Sequence, residues 1–172
     1  MLLKARRGQM AFILVLATAA IAAVLTGGRH PPRLIWNATA SAPIGFYLVR
    51  RAQTLFRGEL VLAKLPTVTA RLAARRGYLP LGLPVVKRIA GLSGDEICAR
   101  DNIVWRNGHF LVTRLAADSR RRPLPQWQGC RRLGREEVFL LMAHKRHSFD
   151  SRYFGPVRKA AIIGRLVPLW LR

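Results

Sequence analysis

Hydrophobic positions along this chain fall into two regimes. From Gly8 to Gly28 the stretch GQMAFILVLATAAIAAVLTGG runs without a charge, whereas later apolar runs are short and repeatedly interrupted. The short runs read GFYLVRR, GELVLAKL, LPVVKRIAG, EICAR, NIVW, HFLVT, EEVFLLMA and AIIGRLVPLWL, with turn residues between them. Branched and aromatic side chains suit a pleated surface, so this pattern predicts a mainly β domain of antiparallel sheet. Asp101-Asn102 and Asn107-Gly108 mark hairpins, because Asn and Gly accept positive φ. One helix is expected over TVTARLAARRG, with Thr67 capping its start and Gly77 ending it. RHPPRLIWNATASAPIG is punctuated by proline and reads as an extended lead-in. Residues 114–135, RLAADSRRRPLPQWQGCRRLGR, are polar and broken by proline, and read as an irregular insertion.

As a helix, the uncharged run would be about 31 Å long at ~1.5 Å per residue, enough for a hydrocarbon core of ~30 Å. Lys4, Arg6 and Arg7 precede it, while Arg29 and Arg33 follow closely, so the charge bias favours a cytoplasmic amino terminus only slightly. The small residues from Thr18 to Ala23 make a cleavable signal peptide the rival reading, but the run is long for a signal-peptide core. The expected organisation is a cytoplasmic tip and transmembrane anchor over residues 1–28. A β-rich domain outside the cytoplasm follows over 29–172, with a small insertion around 98–135.

Charge adds a second axis. Thirty Lys+Arg against eight Asp+Glu give a formal net charge of +22, and 25 of the thirty are arginine. Such an excess suits nucleic acid, an anionic membrane surface or an acidic partner. The basic residues are scattered rather than gathered into one block, which arginine spread over a surface also produces. Cys98 and Cys130 are the two cysteines. Outside the cytoplasm they make a plausible disulfide, closing a loop of about 30 residues.

The chemistry begins with a misplaced lysine. In a strand LPVVKRIAG, Leu83, Val85, Lys87 and Ile89 share one face, which sets an ammonium among apolar side chains. A lysine at its solution pKa of ~10.4 is protonated and is no base, but burial can lower that value by up to ~3–5 units. Ser41, in NATASAPIGFY, sits where an extended segment leads into a strand. A desolvated lysine beside it would supply the general base that a serine nucleophile needs. Arg88, on the other face, cannot substitute, since a guanidinium keeps its proton.

These residues resemble the type I signal peptidases, membrane-anchored serine proteases with a Ser/Lys dyad, in three blocks and in order. Thr39, Ser41 and Pro43 resemble the nucleophile block. K-R-I-A-G-L-S-G-D, Lys87 to Asp95, resembles the general-base block, and S-F-D-S-R-Y-F-G-P-V, Ser148 to Val157, the last block. The resemblance implies Ser41 as nucleophile and Lys87 as base. It implies Ser148 orienting the amine, and an oxyanion hole from the Thr39 hydroxyl and the Ser41 N–H. Asp150 and Arg152 would form a supporting ion pair, with Ser151 behind it.

The S-x-P-x-G-x-Y spacing from Ser41 to Tyr47 is similar to the conjugative-transfer, TraF-type branch of the family rather than to its housekeeping members. That branch implies a pilin-type precursor as substrate, inner-membrane lipid as surroundings and a catalytic domain in the bacterial periplasm. Some such enzymes also join the ends of the pilin into a ring through the acyl-enzyme.

No cofactor is implied. His144 and His147 are three apart, with only His30 and His109 elsewhere and no cysteine or carboxylate at ligand spacing, so no metal is expected. Two alternatives stay open: a general type I signal peptidase, and a membrane-tethered basic protein that binds nucleic acid through its arginines. The second leaves the placement of Lys87 without a reason, so nucleic acid is not the expected partner. The oligomeric state is left open.

Overall fold

The computed structural model describes residues 33–172. The uncharged run at 8–28, and with it the expected anchor, lies outside the described residues. No helix among the described residues is long and apolar enough to cross a membrane.

Nearly every short apolar run forms a strand. In chain order the elements are β1 Leu34–Asn37, β2 Gly45–Arg50, β3 Leu60–Ala63, α1 Thr67–Arg75, β4 Val85–Gly91, β5 Glu96–Arg100 and β6 Ile103–Arg106. Then come β7 His109–Thr113, β8 Gly129–Arg132, β9 Glu137–Leu141, α2 Ser151–Phe154, β10 Val157–Arg158 and β11 Ile162–Leu171. They build a seven-stranded sheet in the order β1-β2-β11-β3-β4-β9-β10 and a four-stranded sheet in the order β7-β6-β5-β8. The strand pairs are antiparallel, as the hairpin signals require. Asp101 (φ 50°) turns β5 into β6, and Asn107 (φ 51°) turns β6 into β7.

Strand β9 explains how the two sheets share a core. Its run EVFLL is apolar on both faces because both faces are covered. Phe139 and Leu141 pack with Ile97, Val104 and Val112 of the small sheet. Val138 and Leu140 pack with Val61 and Ile89 on the other side.

Two expectations shift. Thr67 does not cap α1: Pro66 occupies the cap in an extended conformation, without a side-chain hydrogen bond, and Thr67 is the first helical residue. The other end is as expected. Gly77 takes φ 71°, and Tyr78 N–H reaches back to Ala73 O at 2.9 Å, the glycine-terminated closure of a helix.

The segment read as irregular holds β8, which pairs with β5, and a tight hairpin closed by an Ala117–Pro123 bridge. Strand β8 carries GCRR and is exposed along its length, so no apolar alternation announces it. What holds it is the ladder to β5 and the Cys98–Cys130 disulfide across that ladder.

Candidate active site

The nucleophile block is the loop of a hairpin. Asn37, the last residue of β1, pairs with Gly45, the first of β2, and Thr39, Ser41 and Pro43 lie between them. The S-x-P-x-G-x-Y spacing now has physical content. Gly45 adopts φ 156°, and a Cβ there would stand 2.0 Å from Trp170 O of β11, so only glycine fits. Tyr47, 1% exposed, donates its hydroxyl to Pro43 O at 2.6 Å and ties the loop back to the sheet.

Asn37 ties it from the other side, a role that no sequence reading assigned it. Its Nδ2 lies within hydrogen-bond distance of three carbonyls: Thr39 O (3.1 Å), Ala42 O (3.2 Å) and Pro43 O (3.0 Å). Its Oδ1 accepts from Thr39 N at 3.2 Å and from Thr39 Oγ1 at 2.7 Å. The signal was an Asn two residues before Thr39 at the start of a loop, a pattern in which side-chain amides bond the backbone just ahead.

Lys87 lies in the middle of β4, opposite Val61 of β3. Val85 and Ile89 flank it on its own face as expected, but Leu83 precedes the strand and is exposed. The amine is buried, with the residue 3% exposed, and donates to Ser148 Oγ at 2.7 Å. Burial lowers the Lys87 pKa from its ordinary 10.5 to about 8. The Asp150 carboxylate opposes that shift and the Arg152 guanidinium adds to it.

The general-base block is otherwise structural. Gly91 lies where a Cβ would press within 3.0 Å of Leu133 and Phe139. Asp95 is buried and accepts from Arg57, Asn107 and the Leu92 N–H. Those bonds hold its carboxyl below the usual range against the desolvation that would raise it.

The last block supplies Ser148 and its foundation. Asp150 and Arg152 are both 0% exposed and form a two-pronged pair, Nε to Oδ1 at 2.7 Å and Nη2 to Oδ2 at 3.0 Å. Asp150 also accepts from Met142 N, while Arg152 donates to Met142 O, Lys145 O and Thr113 O. Ser151 Oγ accepts from Leu140 N at 3.0 Å. The pair thus pins the turn that carries Ser148 to the ends of β7 and β9.

Thr39, Ser41, Lys87 and Ser148 open onto one cleft of about 380 Å³. The partner of Ser41 Oγ in this state is Thr39 Oγ1, at 3.1 Å, rather than the amine. The far wall was not legible from local pattern. Tyr78, just past α1, bonds Asp118 of the 117–123 hairpin forty residues on, and Arg122 closes the cluster at 2.7 Å from Asp118. Desolvation would raise the Asp118 pKa, but the bonds from Tyr78, Arg122 and Arg120 hold it well below the usual carboxylate range. Phe149 continues the wall, 5.2 Å from the Tyr78 ring. His147 lies at the cleft edge, whereas His144 is exposed and does not line the cleft.

One cleft on the antiparallel sheet thus holds a half-buried serine and a dry, hydrogen-bonded lysine. The family described as "Signal peptidase, peptidase S26" matches residues 5–170, and the chain belongs to that family. Within it the chain falls in the TraF branch. It is 34% identical over 158 residues to a plasmid transfer protein TraF of Escherichia coli, spanning 86% of this chain and 89% of that one. A probable conjugal transfer protein TraF of Sinorhizobium fredii is 32% identical over 177 residues, spanning 92% and 88%. A solved signal peptidase I from Enterococcus faecalis aligns with TM-score 0.40 and 24% identity, covering 67% of this chain and 98% of that one.

Proposed function

We propose that this protein is a membrane-anchored serine endopeptidase that cleaves a pilin-type precursor in conjugative transfer, with Ser41 as nucleophile and Lys87 as general base. The carrying observation is the buried Lys87 amine, bonded to Ser148 Oγ, in the same cleft as Ser41. A pKa of about 8 leaves roughly a tenth of the amines neutral at pH 7. The bond to Ser148 uses an N–H and leaves the nitrogen lone pair free to take a proton.

In acylation the Ser41 oxygen bonds the scissile carbonyl carbon and its proton passes to Lys87 Nζ. The oxyanion is received by the Thr39 hydroxyl and the Ser41 N–H. The peptide C–N bond then breaks, Lys87 returns the proton to the leaving amine, and an ester on Ser41 remains. Water resolves that ester to a linear product; attack by the pilin's own amino terminus closes a ring instead.

The uncharged run at 8–28 supports a single anchor in the inner membrane with the catalytic domain in the periplasm. The outer face of β1, β2 and β11 supports lipid contact beside the cleft. Trp36, Phe46 and Trp170 are exposed there, with ring centroids 4.8 to 6.4 Å apart, at the base of the Ser41 loop.

The test is processing of a co-expressed pilin precursor. Ser41→Ala and Lys87→Ala should each abolish it while the protein stays folded and membrane-bound; processing that survives in either variant excludes the dyad. Mass spectrometry of the product separates a trimmed chain from a ring lighter by one water.

A further inference from the structure

We infer that Asn37 is a positioning residue for the nucleophile, acting through the hydroxyl of Thr39; the inference rests on the serine/lysine reading proposed above. Asn37 closes β1 at 5% exposure, so its carboxamide is held by the sheet rather than by the loop. Backbone partners settle which way it faces. Three carbonyls on one side require the amino group, and the Thr39 N–H on the other requires the oxygen.

Oδ1 therefore faces Thr39, and its 2.7 Å contact with Thr39 Oγ1 is a donation from the hydroxyl. A threonine hydroxyl has a single proton, which leaves Thr39 none for Ser41. In the 3.1 Å contact between the two hydroxyls, Ser41 is thus the donor. The resting nucleophile points its proton along a chain from Ser41 through Thr39 to Asn37, and away from the Lys87 amine.

This arrangement is a resting state, because attack needs both protons elsewhere. The Ser41 O–H must turn to Lys87 Nζ, and the Thr39 O–H must leave Asn37 to reach an oxyanion. The Thr39 step is a rotation of one hydroxyl, whereas Ser41 Oγ, which makes no hydrogen bond to the amine in this state, must also approach it. A substrate carbonyl entering the cleft supplies the acceptor that competes with Asn37 for the Thr39 proton. Asn37 thereby holds the Thr39 oxygen at the place where its proton is needed and keeps that proton occupied until substrate arrives.

The test is a double-mutant cycle on Asn37 and Thr39, using the full chain solubilised from membranes and a purified pilin precursor, read as kcat and KM. Asn37→Ala and Thr39→Val should each lower kcat by about 100-fold, the scale of one lost oxyanion donor, with KM within about threefold. The double variant should be no more than about threefold slower than the worse single one, since both remove the same relay. Losses that multiply, or a loss carried by KM, overturn the inference: Asn37 would then only hold the loop together. If Asn37→Ala does not fold, Asn37→Asp carries the test. It keeps an acceptor facing Thr39 and loses the donors to the loop carbonyls, so Thr39→Val must cost as much in that background as in the native one. A smaller cost overturns the relay. Ser41→Ala in the same assay keeps the two ideas apart, because cleavage surviving there removes the dyad itself, whatever Asn37 does.

Discussion

Lys87 Nζ donates to Ser148 Oγ at 2.7 Å, with both residues 3% exposed and sixty-one positions apart in the chain. The contact joins the middle of β4 to the turn after β9. It turns a lysine that would otherwise be a liability in the core into an amine of defined direction, and the energetic consequences can be measured.

The depressed pKa has a sign. Below about pH 8 the Lys87 amine is protonated in both folded and unfolded chains, and the full cost of burying the charge is present. Between about 8 and 10.5 the folded chain has released a proton that the unfolded chain still holds, so stability rises with pH across that window. Lys87→Met should therefore stabilise the protein at pH 7. The gain is on the order of 3 kcal/mol for the lost desolvation, less about 1 kcal/mol for the Ser148 hydroxyl left without its partner. Denaturant titrations of both proteins from pH 7 to 10.5 check this. A gap that does not close with rising pH would mean that the folded amine keeps its proton up to the ordinary lysine range, so that burial does not depress its pKa. In the active enzyme, kcat/KM should climb to a plateau with an apparent pKa near 8.

Asp150→Ala should be among the most damaging single changes. It strands the Arg152 guanidinium at 0% exposure, and breaking one side of a buried pair costs about 3–5 kcal/mol. Replacing both residues with Leu and Met removes the stranded charge but not the orphaned backbone. Met142, Lys145 and Thr113 lose their partners, so the double variant should recover only part of the loss. Chemical unfolding of the three proteins gives the ranking; full recovery in the double variant would show that those backbone bonds contribute little.

The Cys98–Cys130 bond closes a loop of sequence separation 32, worth about 3–4 kcal/mol in the chain-entropy model. Replacing both with serine should lower the melting temperature. It should leave precursor cleavage at lower temperature within about twofold, because Ser41, Lys87 and Ser148 do not touch that ladder. A large loss of cleavage at full folding would instead tie the small sheet to the cleft.

Lipid contact by the β1–β2–β11 face can be read from tryptophan fluorescence in vesicles of brominated lipid. Trp36 and Trp170 are exposed on that face, whereas Trp105 and Trp127 belong to the other sheet and its flank. Replacing the first pair with serine should abolish most of the quenching, and replacing the second pair should not; equal quenching from both pairs would place the face away from the bilayer.

The architecture was largely legible because short alternating runs and Asn/Gly turns act locally. Strand β8 was not, since GCRR has neither pattern and is held by a neighbour and a disulfide. Thr67 was misplaced as a cap because proline before a helix can occupy that position without any side-chain bond. In the candidate site, Ser41 and Lys87 stood out by chemistry out of place and Ser148 by the resemblance of its block, whereas Tyr78 and Asp118 are ordinary residues in ordinary surroundings until the fold brings them together.

By itself, the order of residues determined the β class and the hairpins, and it displayed the three blocks as local patterns. Those are short-range matters, settled by φ preference and side-chain alternation within a few positions. Only the folded chain decided that the lysine is dry, that its amine points at Ser148, and that Asn37 owns the proton of Thr39. Each of these depends on where side chains lie in three dimensions, and burial, distance and proton count exist only once the strands have paired.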